Sequence, residues 1–229
     1  EINMATIALF CEGASEIKIL TYIIAKYLGD DISVNALQPE MSFGRQTSPG
    51  GWYEVLRHCN NEDFNNALAT NDYLIIQIDT DSCSQIGFDV NEYDENGHRV
   101  NDELLYNRVV NRLLRDLSPE LLDEYCGRIL FAVCINETEC WLLPFYYEKE
   151  NPDKCAATNN CIHHLNRKLS RDRLGIPEKD KNSPNAIKVY QKVLRTIKQR
   201  DIRRLCVYNW GFNKFIEQLD AIRGSMANE

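Results

Sequence analysis

Three short runs of apolar residues recur along the chain, and each one stops on carboxylates. Thr6-Ile7-Ala8-Leu9-Phe10-Cys11 runs into Glu12-Gly13, Asp72 to Ile78 runs into Asp79-Thr80-Asp81, and Arg128 to Ile135 runs into Glu137-Thr138-Glu139. Unbroken β-branched and apolar runs of this length read as strands buried on both faces of a parallel sheet. Between them the pattern changes to helical spacing. Ile17, Leu20, Ile24, Tyr27 and Leu28 mark a helix that Gly29 can close, and Trp52–Cys59 and Glu62–Ala69 read as two more. Leu105, Val109, Leu113 and Leu117 mark a helix over Asp102–Leu117, and Ser118-Pro119 opens another up to Tyr125. Asp31–Leu37 alternates as a further strand. Ser42–Gly51 reads as a loop from its Gly and Pro content; Arg45 and the small hydroxyls there could touch a phosphate, with a plain surface loop the stronger expectation.

Strands alternating with helices predict an α/β protein with a mostly parallel sheet, joined by right-handed crossovers. The three carboxylate-bearing strand ends then share one edge of the sheet, the edge at which open α/β sheets bind ligands. The segment from Ser82 to Asn101 is polar and irregular. Its Asp89, Glu92, Asp94 and Glu95 read as a solvated loop, and Asn96-Gly97 as a hairpin turn. Past Tyr147 the chain becomes helical and basic. Cys140-Trp141-Leu142-Leu143 begins an apolar helix that Pro144 bends or cuts short. Ser183–Gln199 is a helix with Ile187, Tyr190, Val193, Leu194 and Ile197 on its apolar side. Arg203–Tyr208 reads as a short edge segment, and Phe212, Phe215, Ile216 and Leu219 as a final amphipathic helix.

Composition changes this picture in three places. The 229 residues suit one large domain or one and a half, and 44% hydrophobic with 26% charged residues is ordinary for a globular protein. No apolar run approaches the ~18 residues that cross a bilayer, and the N-terminus lacks a basic signal region, so a cytoplasmic location is expected. Met4 is read as the natural start, with Glu1–Asn3 and the tail Gly224–Glu229 as additions. Nine cysteines without disulfide-framework spacing are expected to be reduced thiols. Cys155, Cys161, His163 and His164 raise zinc, but the spacing fits no common site, and adjacent histidines on one helix do not aim at one ion. The net charge of −8 is unevenly spread: thirteen Lys and Arg against four Asp and Glu lie between His163 and Arg204. An acidic part joined to a basic part suits a metal site facing a phosphate-rich substrate, and equally suits a set of solvated helix faces.

A carboxylate that ends an apolar strand directly before Gly13, as Glu12 does, has no evident structural role. Glu16 in the first turn of the following helix would also be favoured there by the helix dipole. Four or five carboxylates on one sheet edge suit Mg²⁺ or Mn²⁺, hard ions that take oxygen ligands and bridge to phosphates. Phosphodiester cleavage by metal-activated water is the matching chemistry.

The order of these motifs resembles the Toprim fold of topoisomerases, bacterial primases and the overcoming-lysogenization-defect type nucleases. Its first motif is a strand ending in Glu-Gly, here Ala8 to Glu16. Its second is a strand ending in Asp-x-Asp, here Leu74 to Asp81. Glu139-Cys140-Trp141-Leu142-Leu143 is similar to a Glu-Ala-Trp-Leu-Leu segment of small stand-alone bacterial Toprim-like proteins, and Asn209 to Leu219 is more loosely similar to their terminal helix. The resemblance implies a Toprim-like catalytic domain over 4–147, with a helical extension, 148–223, packed on it. It implies that Glu12 is a general acid/base or metal ligand, that Asp79 and Asp81 hold Mg²⁺, and that Glu16 and Glu139 support a metal, with Glu137 a weaker substitute for Glu139. It implies a downstream basic residue that stabilises the transition state, Lys181 or Lys188. It further implies a DNA or RNA substrate (tRNA included), and a toxic anti-phage effector restrained by a partner such as an ATPase, with a homodimer compatible. No zinc ribbon and no tyrosine-bearing breakage domain accompanies the motifs, which favours a nuclease over a primase or topoisomerase. Two other readings stand beside it. One is an aspartyl-phosphate phosphatase of the haloacid dehalogenase type, whose usual Thr or Val after the Asp-x-Asp is here Cys83. The other is an inactive Toprim module that binds nucleic acid or a partner.

Overall fold

The computed structural model describes residues 4–29, 31–115 and 117–226. Of the two ends expected to be additions, Glu1–Asn3 and 227–229 lie outside the described residues. The centre is a four-stranded, wholly parallel sheet flanked by helices. Its strands are β1 (Ala5–Phe10), β2 (Ile32–Gln38), β5 (Tyr73–Asp79) and β6 (Ile129–Cys134), set side by side in the order β2-β1-β5-β6. Leu9 lies opposite Ala36 and Ile75, and Ile75 opposite Leu130. A two-residue hairpin, β3 (Met41–Ser42) and β4 (Arg45–Gln46), occupies the segment expected to be plain loop.

The helices are α1 (Ala14–Leu28), α2 (Trp52–Cys59), α3 (Glu62–Thr70), α4 (Asp102–Leu114), α5 (Pro119–Glu124), α6 (Leu143–Tyr147), α7 (Cys161–Leu169), α8 (Pro184–Arg195), α9 (Gln199–Leu205) and α10 (Trp210–Met226). Chain direction determines which face each one covers. The β1–β2 crossover moves one way along the sheet and puts α1 on one face. The β2–β5 and β5–β6 crossovers move the other way and put α2, α3 and α4 on the opposite face, as right-handedness requires. Strand side chains alternate accordingly. Ile7, Leu9, Ile75, Leu130 and Ala132 join α1 and the C-terminal helices, while Ala8, Phe10, Leu74, Ile76 and Val133 join α2, α3 and α4. On the first face Trp141 stacks on Phe212 and Phe215, with ring centroids 4.9 and 5.5 Å apart. One continuous core therefore contains residues from β1 to α10.

The outer edge of β6 is closed by α10. The Gln218 amide accepts from Phe131 N–H and donates to Phe131 O, at 2.8 and 2.9 Å. Gly211 sits so close to Val133 O that a Cβ would lie 2.1 Å from it. Pro144 falls at the start of α6, just after a 3₁₀ turn at Thr138–Leu142. The Asn96-Gly97 turn is formed, with Asp94 N–H donating to His98 O.

Two expectations are corrected. Arg203–Tyr208 is no edge segment but the end of α9 and a 3₁₀ turn, because Ile202, Leu205 and Cys206 reach the core at helical spacing. The cysteines are not all thiols: Cys140 and Cys161 are joined in a disulfide, and the other seven are free. Packing of α7 against the Thr138–Leu142 turn brings these two side chains together across 21 residues, which spacing cannot foresee. The bond also takes Cys161 out of the zinc set. His163 is exposed, and the half-buried His164 has its ring 5.9 Å from that of His163 and its Nε2 3.5 Å from Lys154 Nζ.

Candidate active site

The strand order reverses between β1 and β5: β1 is followed outward by β2, and β5 by β6. That is the topological switch point, where the crevice of an open α/β sheet lies. Glu12 leaves β1 and Asp79 ends β5 at this crevice. They are tied directly, since Asp79 N–H donates to Glu12 Oε1 at 2.7 Å. Gln77 braces the pair: its amide oxygen accepts from Glu12 N–H at 3.0 Å, and its Nε2 donates to Asp79 Oδ1 at 2.9 Å. Gln77 and Asp79 alternate with Ile78 along β5, so both face the layer of α1 and the C-terminal helices.

On that face Asp79 meets Glu16 from the first turn of α1 and Glu139 from the Thr138–Leu142 turn. One carboxylate oxygen from each lies within 4.8 Å of the others, and all three residues are buried. Lys181, brought in by the loop before α8, places its ammonium 2.7 Å from Glu16, 3.3 Å from Asp79 and 3.4 Å from Glu139. Thr138 donates to Asp79 Oδ1 at 2.7 Å, Ser15 donates to Glu16 Oε2 at 2.9 Å, and the Tyr190 hydroxyl donates to Glu139 Oε1. Glu12 is half-buried and Asp81 is exposed. Asp81 adds negative charge near Glu12 and stands outside the buried trio. Lys188 is exposed on α8 and makes none of these contacts.

Burial and mutual repulsion govern the titration. Burial drives Glu12 well above the ordinary carboxylate range, and the neighbouring Asp79 adds to it. Burial also pushes Asp79 up to about 8, against the pull of Lys181 and with the push of Glu16 and Glu139. Glu139 is raised for the same reasons. Burial alone would lower Lys181, yet Glu16, Asp79 and Glu139 together hold it well above its usual value.

The start of α1 is fastened by two remote loops rather than by its own cap. Gly13 offers no side chain, so Ala14 N–H donates to Gln46 of the β3–β4 hairpin at 3.2 Å. Ser15 N–H donates to Asn182 of the Lys181 loop at 2.8 Å. A Cβ at position 13 would lie 2.5 Å from the Asn182 amide, so a larger residue there would push that side chain off Ser15. Glu137 serves elsewhere. Its carboxylate accepts from Cys161 and Ile162 N–H and so caps α7 from outside the helix.

The chain matches no protein-family model, no curated protein and no solved structure. Its function is therefore read from the geometry. Of the expected residues, the fold brings together Glu16, Asp79, Glu139 and Lys181, sets Glu12 beside them, leaves Asp81 at the rim and leaves Lys188 outside. Sequence reasoning missed Gln77, Thr138, Tyr190 and Asn182. Gln77 carried one signal, as a lone amide inside the apolar run Leu74–Ile78. Tyr190 carried none, because it reads as one more residue of an apolar helix face.

The donor set fits a hard divalent ion. Every ligand offered is a carboxylate oxygen, with three hydroxyls (Ser15, Thr138 and Tyr190) and the Gln77 amide behind them. Glu16 Oε1 is buried, and its one partner is the Lys181 ammonium at 2.7 Å, so it already serves as a ligand to a positive charge. A metal ion would take up the same oxygen.

Proposed function

We propose that this chain is a divalent-metal-dependent nuclease with a Toprim-like catalytic centre. The observation that carries the reading is the convergence of Glu16, Asp79 and Glu139 on one buried point, with Glu12 and Asp81 at its mouth. A pure phosphate-binding surface gains nothing from buried carboxylates. A catalyst of phosphodiester hydrolysis needs them to collect positive charge.

Glu16, Asp79 and Glu139 would hold Mg²⁺ or Mn²⁺, and Asp81 with Glu12 would hold or orient at the outer side. The ion, when bound, supplies an activated water and neutralises charge on the phosphate. The chain's own residues supply the rest. Thr138 and Gln77 fix Asp79 Oδ1, leaving Oδ2 toward Lys181. Tyr190 fixes one oxygen of Glu139 and leaves the other facing Lys181. Glu12, with its raised affinity for a proton, is placed to accept one from water or return one to a leaving oxygen. Lys181, permanently charged at neutral pH, stands ready to stabilise charge on a phosphate oxygen.

The wider role follows by analogy at the level of the fold: a toxic effector of bacterial anti-phage defence, cytoplasmic, acting on DNA or RNA and restrained by a partner such as an ATPase. Among the described residues no helix is long and apolar enough to cross a membrane. The deciding experiment incubates the protein with Mn²⁺ or Mg²⁺ on duplex DNA, single strands and tRNA, beside Glu12→Ala and Asp79→Ala, and expresses the same set in cells. Cleavage or growth arrest that both variants lose, with unchanged circular dichroism, is the expected result. Equal behaviour of wild type and Asp79→Ala defeats the reading.

One observation favours a second reading. Lys181 already meets three acids, and such a cage can be complete without metal. The chain would then be a binding module, and Mn²⁺ would neither bind at the cage nor shift its thermal unfolding.

A further inference from the structure

The cations of this chain are not all handled alike. On α2 and α10 they are paired within the helix: Arg57 with Glu54, Lys214 with Glu217 and Arg223 with Asp220. On α1 and α8 they are not. Lys18 and Lys26 of α1, and Lys188, Lys192 and Arg195 of α8, make no ion pair among the described residues. α8 contains no acid, and Glu16, the one acid of α1, is buried. At 3.6 residues per turn, Lys188, Lys192 and Arg195 fall within about 60° of one another, along the middle of the exposed side of α8. Lys188 and Lys192, four residues apart, repel each other, a cost to the helix that no acid on it offsets. In a chain of net charge −8, like charges gathered this way point to a partner of opposite charge.

The two helices form one face, side by side and parallel. At their starts, Asn182 accepts from the Ser15 N–H and the Ser15 hydroxyl, at 2.8 and 2.9 Å. Toward their ends, the Tyr22 hydroxyl donates to Ile197 O and the Gln199 amide to Tyr27 O, each at 3.4 Å. Both helices begin at the acidic centre. Glu16 is in the first turn of α1, and Lys181 stands just before α8 with its ammonium on the acids. The basic face therefore starts at the carboxylates and leads away from them. Glu178 and Asp180 are exposed before α8, and Asp201 beyond it is held by Arg204.

Chemistry selects the occupant. No large apolar side chain stands exposed on α1 or α8, so a membrane surface would gain no apolar burial here. A phosphate backbone needs only spaced cations. From Lys188 to Arg195 the helix axis rises about 10 Å, the span of about three phosphates of one duplex strand. We propose that the joined face of α1 and α8 binds the phosphate backbone of nucleic acid and leads it to Glu16, Asp79 and Glu139. This deepens the nuclease reading, on which its last part rests, by naming the surface that holds the substrate.

The test is fluorescence anisotropy of a labelled duplex and of a single strand of the same length, with Ca²⁺ as the oxygen-binding ion, over a salt series. Wild type is compared with Lys188→Gln/Lys192→Gln/Arg195→Gln and with the control Arg45→Gln/Arg57→Gln/Arg99→Gln, three exposed cations off these helices. Cleavage in Mn²⁺ is followed alongside. At moderate salt the α8 variant should bind the duplex about tenfold or more weakly, and its plot of log affinity against log salt should flatten by about 2–3. Its Mn²⁺ affinity and thermal unfolding should not change. The control should keep the wild-type slope and lose no more than about twofold in affinity. Equal losses in the two variants, or an α8 variant that binds as wild type does, overturn the proposal, and cutting by wild type then leaves the nuclease reading standing. Binding that only the α8 variant loses, without any cutting by wild type, supports the face and defeats the nuclease reading instead. A wild type that binds neither probe, or an α8 variant whose loss is confined to anionic vesicles, overturns the proposal.

Discussion

Asp79 shows how burial makes chemistry out of an ordinary side chain. With the group pushed up to about 8, a proton and a cation compete for the same oxygens. Mn²⁺ affinity should therefore rise from pH 6 to about pH 8 and level off above it, as read by titration calorimetry. The same shift has a sign for stability. The metal-free folded chain holds a proton that the unfolded Asp79 releases near pH 4, so this contribution is present at low pH and is lost as pH rises from about 4 to 8. Asp79→Asn should flatten that part of the stability profile. Tyr190 acts one step back. Its hydroxyl satisfies one buried oxygen of Glu139, and Tyr190→Phe leaves that oxygen without a donor. The expected cost is about 1–3 kcal/mol in guanidinium unfolding, with the backbone fold retained.

Among the elements, the 3₁₀ turn Thr138–Leu142 has the most dependants. It supplies Thr138 and Glu139 to the site, Trp141 to the core stack and Cys140 to the disulfide with α7. α7 is held to it twice, through that bond and through Glu137 at its N-terminus. Opening the bond frees a loop of about 20 residues, so reduction should lower stability by about 2–4 kcal/mol and weaken cation binding at Glu139. Thiol titration under denaturing conditions should count seven groups before reduction and nine after it. Unfolding curves with and without dithiothreitol complete the check. If the count is nine without reductant, the pairing is absent.

At the scale of the whole molecule, the C-terminal helices both build the core and complete the site. Leu165, Tyr190, Leu194, Phe212 and Phe215 share one apolar cluster with Ile7, Leu9 and Ile19. Lys181 reaches the acids, and Asn182 reaches Ser15 beside them, from the same C-terminal half. A chain ending at residue 147 would expose that cluster and leave Glu16, Asp79 and Glu139 without their cation. It should therefore lack a cooperative unfolding transition by calorimetry. A sharp transition in that fragment would show that the first 147 residues fold alone.

The parallel sheet, its three buried strands and the carboxylates at their ends were readable in the linear pattern, because a strand buried on both faces leaves a continuous apolar run and a strand's end is marked by its first charges. Glu12, Asp79 and Glu139 were found this way, and Glu16 by its place in the first turn of α1. The sequence could not rank them. Asp81 is spaced like a partner of Asp79, yet the chain turns after Thr80 and leaves it exposed. Lys181 and Lys188 look alike in a basic stretch, and only the packing of the loop before α8 brings Lys181 to the acids. Tyr190 reads as core until Glu139 is folded against it, and Cys140 meets Cys161 only when α7 docks. Local pattern records which face of an element is buried. It holds no information on which distant side chain fills the space that burial creates, and here that decides which acids form the centre.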